Sequence, residues 1–377
     1  MDFQLTQEQR DLKELAAKIF TDLAPAERLP PFEEPQDWFD QALWEELAKS
    51  SLLGIGIPEE YGGAGMGFVE ACVLLEEVGR RLAPAPLLPT LIMGAAPIVE
   101  FGSEHQKRSI LPGVANGTQI LTAAWLDEGS TNPHAPTTHA HREGGVWRIT
   151  GRKEFVPVAR LASKLLVSAL TDAGHPAVFV VDREASGLSL EPQATTTGEL
   201  EYRVNLESVS VEPTAQLGND SNGVAVIRFA VERTLAALCA MELGVAENAL
   251  RMTAKYTGTR RQFGKPIATF QAVAQRAADA YIDLEAMRLS TMQAIWRLAS
   301  GVDASREIAI AKFWASEGGH RVCYAAQHLH GGIGVDTDYP LHHYYLRSRH
   351  IELTLGGTHT HLAFLGDRLA EAGPQPH

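Results

Sequence analysis

A chain of 377 residues, 45% hydrophobic and 21% charged, is too long for one compact core and has room for two or three domains. Its formal net charge of −13 excludes the basic face of a nucleic-acid binder, so an anionic ligand needs a local basic pocket. Cys72, Cys239 and Cys323 lie far apart with no CxxC, which excludes a disulfide framework or zinc pattern and points to a reducing cytoplasm.

The first residues, MDFQLTQEQRDLKEL, are polar and charged, unlike a signal peptide, and no apolar run reaches the ~18 residues that span a bilayer. Thr6 is placed to cap a helix with Leu12, Leu15, Ala16 and Ile19 at apolar positions. Ala42–Ser51 reads as a second helix. The proline and glycines of LLGIGIPEEYGGAGMG, Leu52–Gly67, then force an irregular crossing. Ala71–Arg81 and Leu87–Phe101 continue as helices around Pro84, Pro86 and Pro89. Near Gly117 the period changes. Ile120–Trp125, Val146–Ile149, Lys164–Ser168, Ala177–Val181 and Tyr202–Val211 are short β-rich runs, and an all-β insert of this kind is expected to be antiparallel. From Gly223 the chain is helical again, over 223–256, 268–300, 303–330 and 341–371. The expected fold is α+β: a helical domain over 1–118, a middle β domain over 119–215 and a four-helix bundle over 223–377. No internal repeat or low-complexity tract appears.

Between the first two bundle helices lies YTGTRRQFGKPIATFQ, Tyr256–Gln271. An arginine pair beside Phe263 and Gly264 at a helix end suits an anionic phosphate, because a guanidinium fork matches phosphate oxygens. Taken alone, the stretch reads equally well as a solvated helix–helix turn.

This segment resembles the flavin-binding linker of the acyl-CoA dehydrogenase family. The order helix, LLGIGIPEEYGGAG, apolar helix resembles that family's N-terminal domain, and the likeness covers nearly the whole chain. It implies FAD as cofactor, an acyl-CoA substrate and desaturation between Cα and Cβ. A carboxylate takes the α proton while hydride leaves Cβ for the flavin. In such proteins each FAD lies across a subunit interface. The neighbour's nucleotide-binding part is matched by Arg260, Phe263 and Gln271. HLHGGIG supplies the family's glycine turn with Gly331, Gly332 and Gly334, and His328 stands where glutamine is usual.

The ring-binding part departs from the family pattern. In AAWLDEGS, Ala123–Ser130, only Gly129 and Ser130 fit. EFVPVA places Pro157, which has neither N–H nor hydroxyl, where the family has a threonine or serine beside the flavin. The base departs too: LGGT, Leu355–Thr358, puts Gly356 where a glutamate is usual. The candidate base on this chain is Glu232, on the first bundle helix. Counting from Gly244 places Thr234 at the family's alternative position, and two residues turn a helix by roughly 200°. Glu242 lies on the apolar stripe of that helix and is expected to be paired or shifted in pKa.

The pairs His342/His343 and His359/His361 do not share a helix face, have no accompanying carboxylate or thiol cluster, and read as surface or interface residues. The resemblance therefore implies one subunit of a hetero-oligomer, of the actinobacterial type linked to bulky, including steroid-derived, acyl-CoAs. Its partners would be a second acyl-CoA dehydrogenase-like chain (α2β2) and electron-transfer flavoprotein. Two other readings remain: a self-sufficient homotetramer using Glu232, and a non-catalytic scaffold without a flavin role.

Overall fold

Thr6 opens the first helix as its side chain predicts. Its Oγ1 accepts from Gln9 N at 3.2 Å while its own N–H donates to Gln9 Oε1 at 2.9 Å, a reciprocal capping box. The computed structural model describes residues 3–24 and 38–372. The rest, which takes in parts of the predicted ranges 1–118 and 223–377, lies outside the described residues. The chain divides into two compact units. One is Met1–Pro31, Cys72–Ala83 and Leu235–His377; the other is Phe32–Ala71 and Pro84–Thr234.

The first unit holds α1 (Gln7–Leu23), most of α3 (Phe68–Arg81) and of α6 (Gly223–Thr259), α7 (Gln271–Ala299), α8 (Ser305–His330), α9 (Leu341–Leu353) and α10 (Thr358–Ala372). In α3, Gly79 meets α6 backbone to backbone: a Cβ there would lie 2.0 Å from Met241 O, so no larger residue fits. Leu243 and Ala246 of α6 pack with Leu284 and Met287 of α7 and Val322 of α8 in one apolar cluster. The fourth predicted helix, 341–371, is in fact two. Leu355 (φ +56°) and Gly356 (φ +98°) enter the left-handed region, which an α-helix does not tolerate, and separate α9 from α10.

The second unit holds α2 (Gln41–Lys49), a π-helical turn at Leu88–Ala95, α4 (Ala96–Phe101), α5 (Glu104–Ala115) and the β strands. These are β1 (Leu121–Ala124), β2 (Leu126–Asp127), β3 (His139–Glu143), β4 (Val146–Pro157), β5 (Lys164–Thr171), β6 (Pro176–Asp182), β7 (Leu188–Gln193), β8 (Glu201–Val211) and β9 (Gln216–Leu217). They form one sheet in the order β7-β8-β4-β3-β5-β6-β9, with β1 on β5 and β2 on β4. The sheet is mixed, which corrects the antiparallel expectation: β1 and β3 both run parallel to β5. Long crossovers, here through β2 and β4, bring parallel strands together where hairpins cannot. The architecture is thus α+β, with a helical N-terminal domain, a central mixed sheet and a helical C-terminal region.

Inside the sheet lies a charge pair that sequence reading missed. Lys153 Nζ sits 3.0 Å from Asp127 Oδ1, both nearly inaccessible (0% and 3%), and Asp127 also accepts from the N–H groups of Thr137 and Thr138. Burial pushes the Lys153 amine down to about 8, against the pull of Asp127. Replacing Asp127 by alanine would strand that ammonium and is expected to cost about 3–5 kcal/mol, read as a loss of unfolding free energy in urea. A change under ~1 kcal/mol would mean the pair behaves as a surface one.

Candidate functional site

Tyr256–Gln271 folds as a built arm in the first unit. Arg260 N donates to Tyr256 O at 2.8 Å and Ile267 N to Arg260 O at 2.9 Å, closing the segment on itself. Within it β10 (Arg261–Gln262) and β11 (Lys265–Pro266) pair antiparallel, leaving Phe263–Gly264 as a two-residue turn. Both turn residues have positive φ, +52° and +78°, the geometry of a tight hairpin. A bulky residue there is strained, and strain of this kind collects at working sites. Phe263 stands out at 91% exposure. The two arginines divide the labour. Arg261 Nη2 donates to Gly264 O at 2.8 Å and braces the turn. Arg260 is exposed, and its guanidinium has no hydrogen-bond or ion-pair partner among the described residues. Gln271, also exposed, is the first residue of α7, whose N-cap Phe270 gives no side-chain cap, so backbone N–H groups point outward there.

The glycine turn follows α8. Gly331 ends that helix at φ +67°, ψ −143°, and its N–H returns to Gln327 O and His328 O. Gly334 is required by packing, since a Cβ would lie 2.7 Å from Gln327 O. Gly332 is different. A Cβ there meets nothing within 4 Å, so nothing in the chain explains the missing side chain. His328 is exposed beside the turn. His330, which sequence reasoning missed, is buried: Nδ1 lies 2.8 Å from Ala326 O and Nε2 3.3 Å from Tyr339 Oη, and its ring stacks on Tyr256 at 4.4 Å. One imidazole thereby joins the glycine turn to the start of the arginine segment.

At the expected base position, Gly356 is held at φ +98°, and a Cβ would lie 2.8 Å from Thr360 Cγ2. A glutamate in this conformation would be strained and would crowd the Thr360 side chain. Just before it, Lys312 Nζ donates to Ile351 O (2.7 Å) and Glu352 O (3.0 Å), satisfying the last carbonyls of α9. Glu242 is fully buried. Its Oε1 accepts from Ser348 Oγ at 2.6 Å, and burial pushes the carboxyl up to about 8, opposed by Ser348 and Lys312. The buried partner expected of this residue is Ser348. Glu232 lies half-buried on α6. That helix is continuous there, so its side chain departs from the direction of Thr234, which is buried with Oγ1 on Ala230 O at 2.7 Å.

In the second unit, Asp127 is absorbed by Lys153, and Gly129 turns at φ +71°. Pro157 closes β4 with its carbonyl accepting from Thr122 Oγ1 at 2.6 Å.

Residues 6–118 match the acyl-CoA dehydrogenase N-terminal domain and residues 221–370 its C-terminal domain. Acyl-CoA dehydrogenase FadE27 of Mycobacterium tuberculosis is 36% identical over 98% of this chain and 99% of that protein. The chain belongs to the acyl-CoA dehydrogenase family. Two solved structures are similar over nearly full length. The Tcur3481-Tcur3483 steroid ACAD G363A variant has 43% identity and TM-score 0.89, covering 97% of this chain and 98% of that one. The ChsE4-ChsE5 complex of M. tuberculosis has 34% identity and TM-score 0.90, with 100% of each chain covered. Acyl-CoA dehydrogenases are oxidoreductases acting on a CH–CH bond of acyl-CoA, with FAD as cofactor.

The acyl-CoA dehydrogenase helices also carry the acid sensitivity of the fold. Two of the four paired histidines, His342 and His361, are buried rather than at the surface, because α9 and α10 turn them inward. Burial pushes His343 to about 4, His350 to about 3 and His361 to about 4. Each folded value lies below the ~6.5 of an unfolded histidine, so the unfolded chain binds the protons first. The stability these groups contribute is complete above pH ~6.5 and falls as the pH drops toward ~4. Melting temperature is expected to decline steadily between pH 6.5 and 5, and a flat profile would contradict the burial of these rings.

Proposed function

We propose that this chain is one subunit of a hetero-oligomeric, FAD-dependent acyl-CoA dehydrogenase, lending the nucleotide half of a shared FAD site to a partner chain that carries the base. The observation that carries this reading is a contrast. Arg260 is exposed and without a partner among the described residues, and Gly332 leaves open space, whereas Gly356 occupies a conformation that strains a glutamate. In this assignment Arg260 meets the pyrophosphate through charge-assisted hydrogen bonds. Phe263 covers the nucleotide, Gln271 and the first N–H groups of α7 add donors, and His328 flanks the turn. Gly331, Gly332 and Gly334 let backbone N–H groups come close. When bound, FAD accepts the hydride from Cβ of the acyl chain. This chain's residues orient that cofactor, and the partner's carboxylate takes the α proton. The likeness to a steroid ACAD at 43% identity, and to a two-component complex at 34%, supports a bulky acyl-CoA and an unlike partner in an α2β2 assembly. Electron-transfer flavoprotein is the proposed acceptor.

In the co-purified complex, Arg260→Ala is expected to weaken FAD by roughly ten- to a hundredfold, the equivalent of ~1.5–3 kcal/mol for a charge-assisted bond, as measured by flavin retained after gel filtration. Unchanged flavin content would favour the scaffold reading. Glu232→Gln is expected to leave kcat of the complex intact. A drop of about 10²–10⁴-fold, the usual size of a general-base effect, would move the base onto this chain and favour a self-sufficient homotetramer.

A further inference from the structure

The β4–β8 ladder has two register shifts, at Ile149/Gly151 and at Lys153/Val156, and the second lies at the end of β4. Between Lys153 and Val156 the register shifts, so that Glu154 and Phe155 oppose Arg203 alone. Such a bulge re-aims the strand beyond it. Phe155 (φ +52°) and Val158 (φ +48°) are non-glycine residues in the left-handed region on either side of Pro157. Past the bulge the ladder resumes with Val156 opposite Tyr202 and Pro157 opposite Glu201. Val156 and Tyr202 both belong to the buried cluster of the sheet. Alternation therefore puts Pro157 and Glu201 together on the other face, with Cβ atoms ~4.5–5.5 Å apart.

That face is where the family resemblance places the residue at the flavin edge, and its chemistry is wrong for a flavin. Pro157 has no N–H, and its carbonyl is already engaged by Thr122. Opposite it stands a half-buried carboxyl, which desolvation pushes up to about 7. Ionised, it is an acceptor only. The pyrimidine edge of a flavin presents two carbonyl oxygens around a single N3–H, so it needs donors for the oxygens. An ionised carboxylate on this face offers those oxygens no donor and repels their lone pairs. Trp125, on the same AAWLDEGS segment, is 2% exposed and its Nε1–H has no partner among the described residues.

We infer that Pro157 and Glu201 exclude the isoalloxazine from this chain's own β half, so that only one of the two kinds of half-site in each pair of chains loads flavin. The inference rests on the shared-site reading above and adds the residues that decide which half is used.

The test is flavin stoichiometry rather than turnover. The complex of this chain with its partner is stripped of flavin and titrated with excess FAD at pH 8, and bound flavin is counted by absorbance against protein. One FAD per pair of chains is expected at saturation. The double variant Pro157→Thr, Glu201→Thr is expected to take up a second, weaker equivalent, moving the count toward two. Glu201→Gln, which keeps the shape and removes the charge, is expected to give part of that gain and serves if the double variant fails to assemble. Two equivalents in the unaltered complex would overturn the exclusion. A count fixed at one in both variants would overturn the assignment to this residue pair. Arg260→Ala in the same titration separates the premises: if it leaves the first equivalent untouched, sharing is wrong, whatever the count at the β half.

Discussion

One buried imidazole ties the exposed arm of this protein to its core. His330 stacks on Tyr256, bonds Ala326 O and reaches Tyr339 Oη, and so joins the end of α6, the last turn of α8 and the chain beyond the glycine turn. The glycines on one side and the hairpin on the other have few side chains of their own to hold them, and unanchored glycine is costly in entropy. Burial lowers the pKa of His330, against the pull of the Ala326 carbonyl. From that fixed base the hairpin can hold Phe263 out in water. An apolar ring at 91% exposure is unfavourable in an isolated chain, and under the proposed assignment the nucleotide would cover it.

Around Gly356 the fold behaves in the opposite way: its polar groups point inward, with Glu242 Oε2 and His361 Nε2 buried and without a partner among the described residues. Lys312 satisfies the terminal carbonyls of α9, Ser348 donates to Glu242, and Gly319 has no side chain because Glu242 Oε1 occupies the space, 2.2 Å from where its Cβ would be. These residues make a rigid elbow and contribute no outward-facing acid. The two ends of the helical unit thus differ in physical character: one offers unpaired donors to solvent, the other turns its polar groups inward.

Much of this architecture is legible in the chain. The Thr6–Gln9 cap, the apolar spacing of α7 and α8, and the β-rich runs all translate into the observed elements, because each is governed by local periodicity. β3 was not legible: HAHRE carries no apolar alternation, and it is a strand because β4 and β5 flank it. The parallel pairings depend on crossovers that no window of sequence contains. The break at Leu355–Gly356 depends on backbone dihedrals in a stretch that otherwise reads as helix.

Within the site, the glycines and the linker residues were legible because motif spacing carries them. His330, the Asp127–Lys153 pair and the Pro157–Glu201 register were not, since each is a contact between distant segments. The sequence also could not separate the roles of neighbouring arginines. Only geometry shows that Arg261 serves the hairpin while Arg260 faces outward.

The left-handed elbow at Gly356 has a consequence for how such a chain can change over time. Acquiring an acid at that position is not a one-step event, because any β-carbon there collides with Thr360 and strains the dihedral angle. A return path needs the elbow reshaped before the new carboxylate is of any use, and the intermediate along it is less stable without being more active. The elbow therefore has to give way, at a cost in stability, before an acid at this position could be used.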